Sequence, residues 1–178
     1  HKDELVISFA LEDYPAIRKK NYVKLEPGMA AIFHHGNGNI SVHPEIKFRI
    51  PRTVTHLSIL CLDTFQLSYE FENQKILLSL RFQQISPALA FELTKKLRYL
   101  LKRRPQVFIK DIFQEAETFI KQRIFTGDIS QDPSKQQYEL IRFFEQFALE
   151  IEDVEITEIT SHRNSLCAES QNTDTGYF

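Results

Sequence analysis

The chain has 178 residues, 42% of them hydrophobic, which is enough for one sizeable core with room for a small subdomain. Its 22 basic and 24 acidic side chains leave a formal charge of −2, so no global field points to nucleic acid or to an acidic membrane, and any electrostatic recognition is local. No run approaches the ~20 apolar residues of a spanning helix, the stretch Leu5 to Leu11 being short and flanked by charge.

The N-terminal half divides between strands and tight turns. Tyr22 to Glu26 and Met29 to Phe33 read as two extended runs across Pro27-Gly28, where Pro sets one φ and Gly accepts a positive one. His34 to Asn39 is a second turn, with Asn37-Gly38 as a hairpin signal and Ile40 to His43 as the returning strand. Ile46 to Ile50, Val54 to Leu62, Thr64 to Phe71 and Ile76 to Ile85 complete a mostly antiparallel sheet.

At Ser86-Pro87 the period switches to that of a helix, since Ser is a favoured N-cap and Pro a favoured first helical residue. Leu89, Leu93, Leu97, Leu100 and Leu101 mark its apolar face to about Arg104. Pro105 breaks it and is expected to open a second helix, with Phe108, Ile112, Phe113, Ala116, Phe119, Ile120 and Ile124 facing inward and Gly127 as its cap. A third helix starts at Asp132-Pro133, with Tyr138, Ile141, Phe144 and Phe147 as its expected face, and runs directly into an acidic strand, Glu150 to Ile159. Fifteen Phe and no Trp read first as core. Strands followed by two to three helices and a closing strand predict an α+β fold. The expected organisation is an N-terminal extension over 1–21, one domain over 22–160 and a flexible polar tail over 161–178.

That order resembles the band 7 or SPFH domain of stomatin, prohibitin and flotillin. Four places carry the likeness: Val23-Lys-Leu-Glu-Pro-Gly-Met-Ala-Ala-Ile-Phe33, Ile50-Pro51, the strand-to-helix junction Leu80 to Phe91, and the closing strand Ile151 to Ile159. The chain departs from the family where an Asp-Gly turn would precede the long strand, having Glu72-Asn-Gln-Lys75, and where a Gly would precede the last strand, having Ala148-Leu149. The resemblance implies a divergent member that assembles into rings or cages and organises or regulates membrane proteins, on the cytoplasmic side of a membrane.

Chemistry-bearing residues are sparse. His34, His35 and His43 lie near one turn, but no cysteine or carboxylate stands at metal-site spacing beside them, so no metal is expected. Cys61 lies in an apolar run where a thiol behaves as a small hydrophobe, and Cys167 is far away in the polar tail; both are expected to be reduced and unpaired. His56 reads as a satisfied strand residue. No Gly-x-Ser-x-Gly elbow, phosphate-cradling loop or dinucleotide fingerprint occurs, so neither cofactor nor enzymatic activity is expected.

Charge is more informative. Lys95, Lys96, Arg98, Lys102, Arg103 and Arg104 crowd the end of the first long helix, and Glu145, Glu150, Glu152, Asp153, Glu155 and Glu158 line the final passage. A solvated face and a dipole-complementing helix end are the plain reading of the cations. If the two patches lie on opposite sides of the domain, copies of the chain join head to tail, which generates rings or filaments. The expected function is therefore a non-catalytic oligomerising scaffold, its partners being itself, membrane proteins and anionic lipid headgroups, and not nucleic acid. Two alternatives stand beside it: a soluble peptide- or lipid-binding module using the basic helix 95–104, and a hydrolase whose unrecognised site is formed by distant residues, for which Cys61→Ala and His56→Ala are the test substitutions.

Overall fold

The computed structural model describes residues 3–43, 47–83, 86–101 and 104–159, with the backbone alone at 87, 89, 97–101 and 128. In chain order the elements are β1 (Glu4–Ala10), α1 (Pro15–Lys20), β2 (Tyr22–Lys24), β3 (Met29–His35), β4 (Ile40–His43), β5 (Lys47–Arg49), β6 (Val54–Cys61), β7 (Phe65–Phe71), β8 (Gln74–Phe82), α2 (Pro87–Leu101), β9 (Gln106–Phe108), α3 (Ile109–Phe119), α4 (Pro133–Glu145) and β10 (Leu149–Glu158). The architecture is α+β, with three antiparallel sheets ordered β4-β3-β6-β1-β9, β10-β8-β7 and β2-β5 among the described residues. The expected tail over 161–178, with Cys167, lies outside the described residues.

The segment 1–21, expected as an extension ahead of the domain, instead supplies an interior strand. β1 pairs with β6 on one side, Val6 opposite Leu60 and Ser8 opposite Ser58, and with β9 on the other. Its apolar run therefore has two partners to satisfy its backbone, which an isolated extension would lack. Alternation then divides the five-stranded sheet into two faces. Val6, Ile32 and Leu60 point into the main core with Leu93 and Val107, while Phe33, Ala31 and Leu57 point into a second core with Leu11, Leu25 and Ile50.

The Pro27-Gly28 turn forms as expected, but its two flanks do not pair with each other. Met29 N–H donates to the Glu26 carbonyl at 3.2 Å and Gly28 has φ +84°, a type II arrangement. β2 pairs with β5 while β3 pairs with β4 and β6, so the turn changes sheets. A Cβ on Gly28 would lie 2.5 Å from the carboxylate of the exposed Asp63, which would have to turn aside.

Among the described residues the three-stranded sheet is covered on one face only. Leu67, Tyr69, Ile76, Leu78 and Leu80 are buried beneath α3 and α4, whereas Gln66, Ser68, Glu70, Arg81, Asp153 and Glu155 are exposed on the other side. β10 closes the sheet against β8 with one bulge, at Glu152, between the pairs Ile151–Leu80 and Asp153–Ser79. The bulge explains the spacing Ile151-x-x-Val154: one extra residue returns the apolar side chains to the core face.

Two helical expectations are corrected. Pro105 does not open a helix; three residues of β9 come first, because β1 offers an edge, and α3 starts at Ile109. Asp111 marks that start by accepting the Phe108 N–H at 2.8 Å. In α4, begun by Asp132 accepting the Lys135 N–H and by Pro133, the inward residues are Gln136, Leu140 and Phe144. Tyr138 and Ile141, expected inside, are 58% and 45% exposed. At about 100° per residue, Tyr138 is carried about a third of a turn away from Phe144, off the inward face, while Phe147 lies past the end of the helix. Gln136 is buried usefully, since its Nε2 donates to the Ile124 carbonyl at 3.0 Å where the chain leaves a π turn.

Candidate functional site

The predicted contact residues fall into groups with different local partners. Arg104 donates to Asp111 at 3.2 Å, and Asp111 is a buried carboxylate that also caps α3, so this pair holds the β9–α3 junction. Lys96 donates to the Glu145 carbonyl at 3.4 Å, which brings the middle of α2 to the end of α4 within one chain. Lys95 stands 3.8 Å from Glu92 and 4.3 Å over the Phe91 ring, both exposed. Lys102 and Arg103 lie outside the described residues, as does the side chain of Arg98.

On the acidic side, Arg81 gathers Glu150 and, at 3.0 Å, Glu152. Hydrogen bonding to Glu150 first, and then the charges of Glu150 and Glu152, raise the Arg81 pKa. Glu152 also accepts the Thr64 hydroxyl proton at 2.6 Å. The bulge makes this convergence possible, because it keeps Glu150, Glu152 and Asp153 all on the open face. Asp153, Glu155 and Glu158 form no ion pair among the described residues. Among the described residues β10 is hydrogen-bonded to β8 alone, and its other edge has no strand partner.

The histidines separate by face. His35 and His43 share the Ser41 hydroxyl, at 3.0 and 3.1 Å, beside Phe33 and Phe48. His34 turns to the opposite face, where its Nε2 is 3.2 Å from Ser58 Oγ, itself 2.8 Å from Ser8 Oγ. Among the described residues no three ligating side chains converge as a metal site. Cys61 and His56 sit on opposite faces of β6, roughly 16 Å apart along the strand, so they form no nucleophile–base pair. Tyr69 is buried, donates to the Phe113 carbonyl at 2.9 Å and stacks on the Phe113 ring; burial first, then the Glu117 charge, raises its pKa.

A cleft of about 740 Å³ opens where the end of the five-stranded sheet meets α2. α1 and the turn after β1 contribute Arg18 and Glu12, β3 and β6 contribute His34 and His56, and α2 contributes Phe91 and Lys95. Sequence reasoning isolated Lys95 and His56 but did not unite them, because only the packing of α2 against the five-stranded sheet brings a helix residue to a strand residue far from it in the chain. The exposed Phe91, out of register with the leucine face of α2, is the one local signal that pointed there.

Among the described residues no helix is long and apolar enough to cross a membrane. No protein-family model matches the chain, and no curated protein matches its sequence.

Proposed function

We propose that the protein is a non-catalytic scaffold domain that joins copies of itself head to tail, with the acidic edge strand of one copy facing the cationic helix of the next. The observation that carries this reading is β10: ten residues long, open along one edge, and bearing Asp153, Glu155 and Glu158 without ion-pair partners among the described residues. Two such strands repel each other, and the bulge twists the edge away from a flat partner. Association through β10 therefore favours an unlike, cationic surface, and a contact between unlike surfaces propagates into rings or filaments. Lys95 and Lys96 are the described cations of that surface. Arg104 is not part of it, since its charge balances the buried Asp111. The resemblance to band 7 domains adds a membrane setting, with membrane proteins as the clients that the assembly would organise.

Light scattering at low ionic strength tests the reading. The wild type is expected to be multimeric and to dissociate as salt screens the contact. Reversing Asp153 and Glu155 to Lys, or Lys95 and Lys96 to Glu, is expected to give monomers, and combining both reversals to restore assembly. A wild type that stays monomeric at high concentration, or reversals that leave the mass unchanged, would overturn it.

A further inference from the structure

We propose that the cleft beside α2 is a binding site for a small phosphorylated molecule carrying a planar ring, of about mononucleotide size. The cleft shares Lys95 with the cationic surface proposed for self-assembly, but Phe91, His56 and Arg18 lie outside that surface, so Phe91→Ala and His56→Gln test the cleft alone.

Three features of the cleft select that chemistry. First, its lining carries cations from separate elements, Arg18 of α1 and Lys95 of α2, together with His34, His35 and His56, and Glu12 is its one carboxylate. Arg presents a planar fork and Lys a mobile point charge, the usual pair for a phosphate group. Lys95 rests 3.8 Å from Glu92 and 4.3 Å over the Phe91 ring, and a ligand that stacks on that ring and carries a phosphate would exchange both exposed contacts for its own. Arg18 is oriented instead of mobile, donating to the Arg52 carbonyl at 2.8 Å and the Pro51 carbonyl at 3.4 Å.

Second, Phe91 offers a ring on the cleft wall with 45% of its surface exposed. A planar apolar ligand stacking there would cover surface that α2 leaves in water. Third, the floor is ordered. Ser58 is 4% exposed and links the half-buried Ser8 to His34, so two hydroxyls in a chain hold the imidazole that lines the cleft. Such a polar chain on a sheet face is costly unless bonded, and it fixes the position of the His34 ring beside the cleft. The volume, about 740 Å³, lies within the ~300–1,000 Å³ range of small-molecule sites.

The test is a titration of the full chain with three probes, followed by calorimetry and by amide chemical shifts: adenosine 5′-monophosphate, inorganic phosphate, and adenosine. Adenosine monophosphate is expected to bind more tightly than either fragment, moving the amides around Phe91, Lys95 and His56. Phe91→Ala is expected to weaken it about tenfold, as the loss of a stacked base does. Lys95→Ala is expected to weaken it by a similar factor, as the loss of a charged hydrogen bond does. Both positions are exposed, so both variants should fold, and unchanged thermal unfolding confirms that. Asp153→Lys should leave this binding intact, which separates the site from the assembly surface. Absence of binding, shifts confined to other surfaces, or affinities unaffected by Phe91→Ala and His56→Gln would overturn the proposal. So would phosphate binding as tightly as the nucleotide, or displacement of the nucleotide by phosphatidic acid vesicles, which would assign the phosphate to a lipid headgroup.

Discussion

The two larger sheets treat polar residues in opposite ways. The five-stranded sheet has a core on each face, so its interior polar groups are tied into hydrogen bonds, as Ser8, Ser58 and His34 are. The three-stranded sheet has one bare face, where Arg81 satisfies two carboxylates in water and Asp153 and Glu155 are left over. A charge becomes available to a partner only where packing has not already claimed it. By that criterion Arg104, bound to the buried Asp111, belongs to the fold, and Asp153 belongs to the surface.

The largest effect should come from the doubly covered sheet. Phe33 is fully buried and meets Phe48 and His43, so Phe33→Ala is expected to destabilise the protein by about 3–5 kcal/mol in urea unfolding. Leu77, half-buried on the bare face of β8, should cost only about 1 kcal/mol when cut to Ala. Equal losses at the two positions would mean that the bare face is covered in solution, and would break the contrast between the sheets.

A smaller effect separates the covered face of the three-stranded sheet from its bare one. Tyr69→Phe removes the hydrogen bond to the Phe113 carbonyl and is expected to cost about 1 kcal/mol at neutral pH. The pH dependence has a definite sign. Folding raises the Tyr69 pKa above its ordinary value, because burial and then Glu117 disfavour the phenolate. The unfolded chain therefore loses this proton first, and stability that is fully present below about pH 10 declines as the pH rises beyond it. The variant should lose less stability than the wild type between neutral and strongly alkaline pH. Parallel losses in both proteins would show that Tyr69 is not held neutral by its surroundings.

How much of this was legible in the sequence depends on the range of the signal. Pro27-Gly28 and Asp132-Pro133 announced a turn and a helix start because their effects are local to φ and to one N–H. The order of strands, helices and closing strand followed from periodicity alone. β1 was missed because an apolar run without turn signals looks the same whether it is interior to a sheet or ahead of it, and only Leu60 and Ser58 opposite it decide. β9 was missed because three residues carry no period. The bulge in β10 was readable after the fact, in the three-residue step from Ile151 to Val154. The cleft was not, since Arg18, His34, His56 and Phe91 meet only through tertiary pairing.

The smallest effects concern two non-glycine positions with a left-handed backbone, one in the β7–β8 hairpin and one between α4 and β10. Both residues adopt the left-handed conformation, Glu72 at φ +49° and Ala148 at φ +53°. That conformation costs a residue with a Cβ about 1–2 kcal/mol. Replacing it by glycine recovers that cost but adds about 0.5–1 kcal/mol of backbone entropy in the unfolded chain. At Glu72 the side chain is exposed, so nothing else changes and Glu72→Gly is expected to stabilise by about 0.5–1 kcal/mol. At Ala148 the methyl is 3% exposed between Phe147 and Leu149, and losing it removes about 0.8 kcal/mol of burial. The terms then cancel, and Ala148→Gly should leave the denaturation midpoint almost unchanged. Alanine is thus tolerated at the helix-to-strand junction because the core occupies the space its methyl fills, whereas the hairpin at Glu72 has no such compensation. If Ala148→Gly stabilised as much as Glu72→Gly, the methyl would not be packed and the junction would be looser than its burial states.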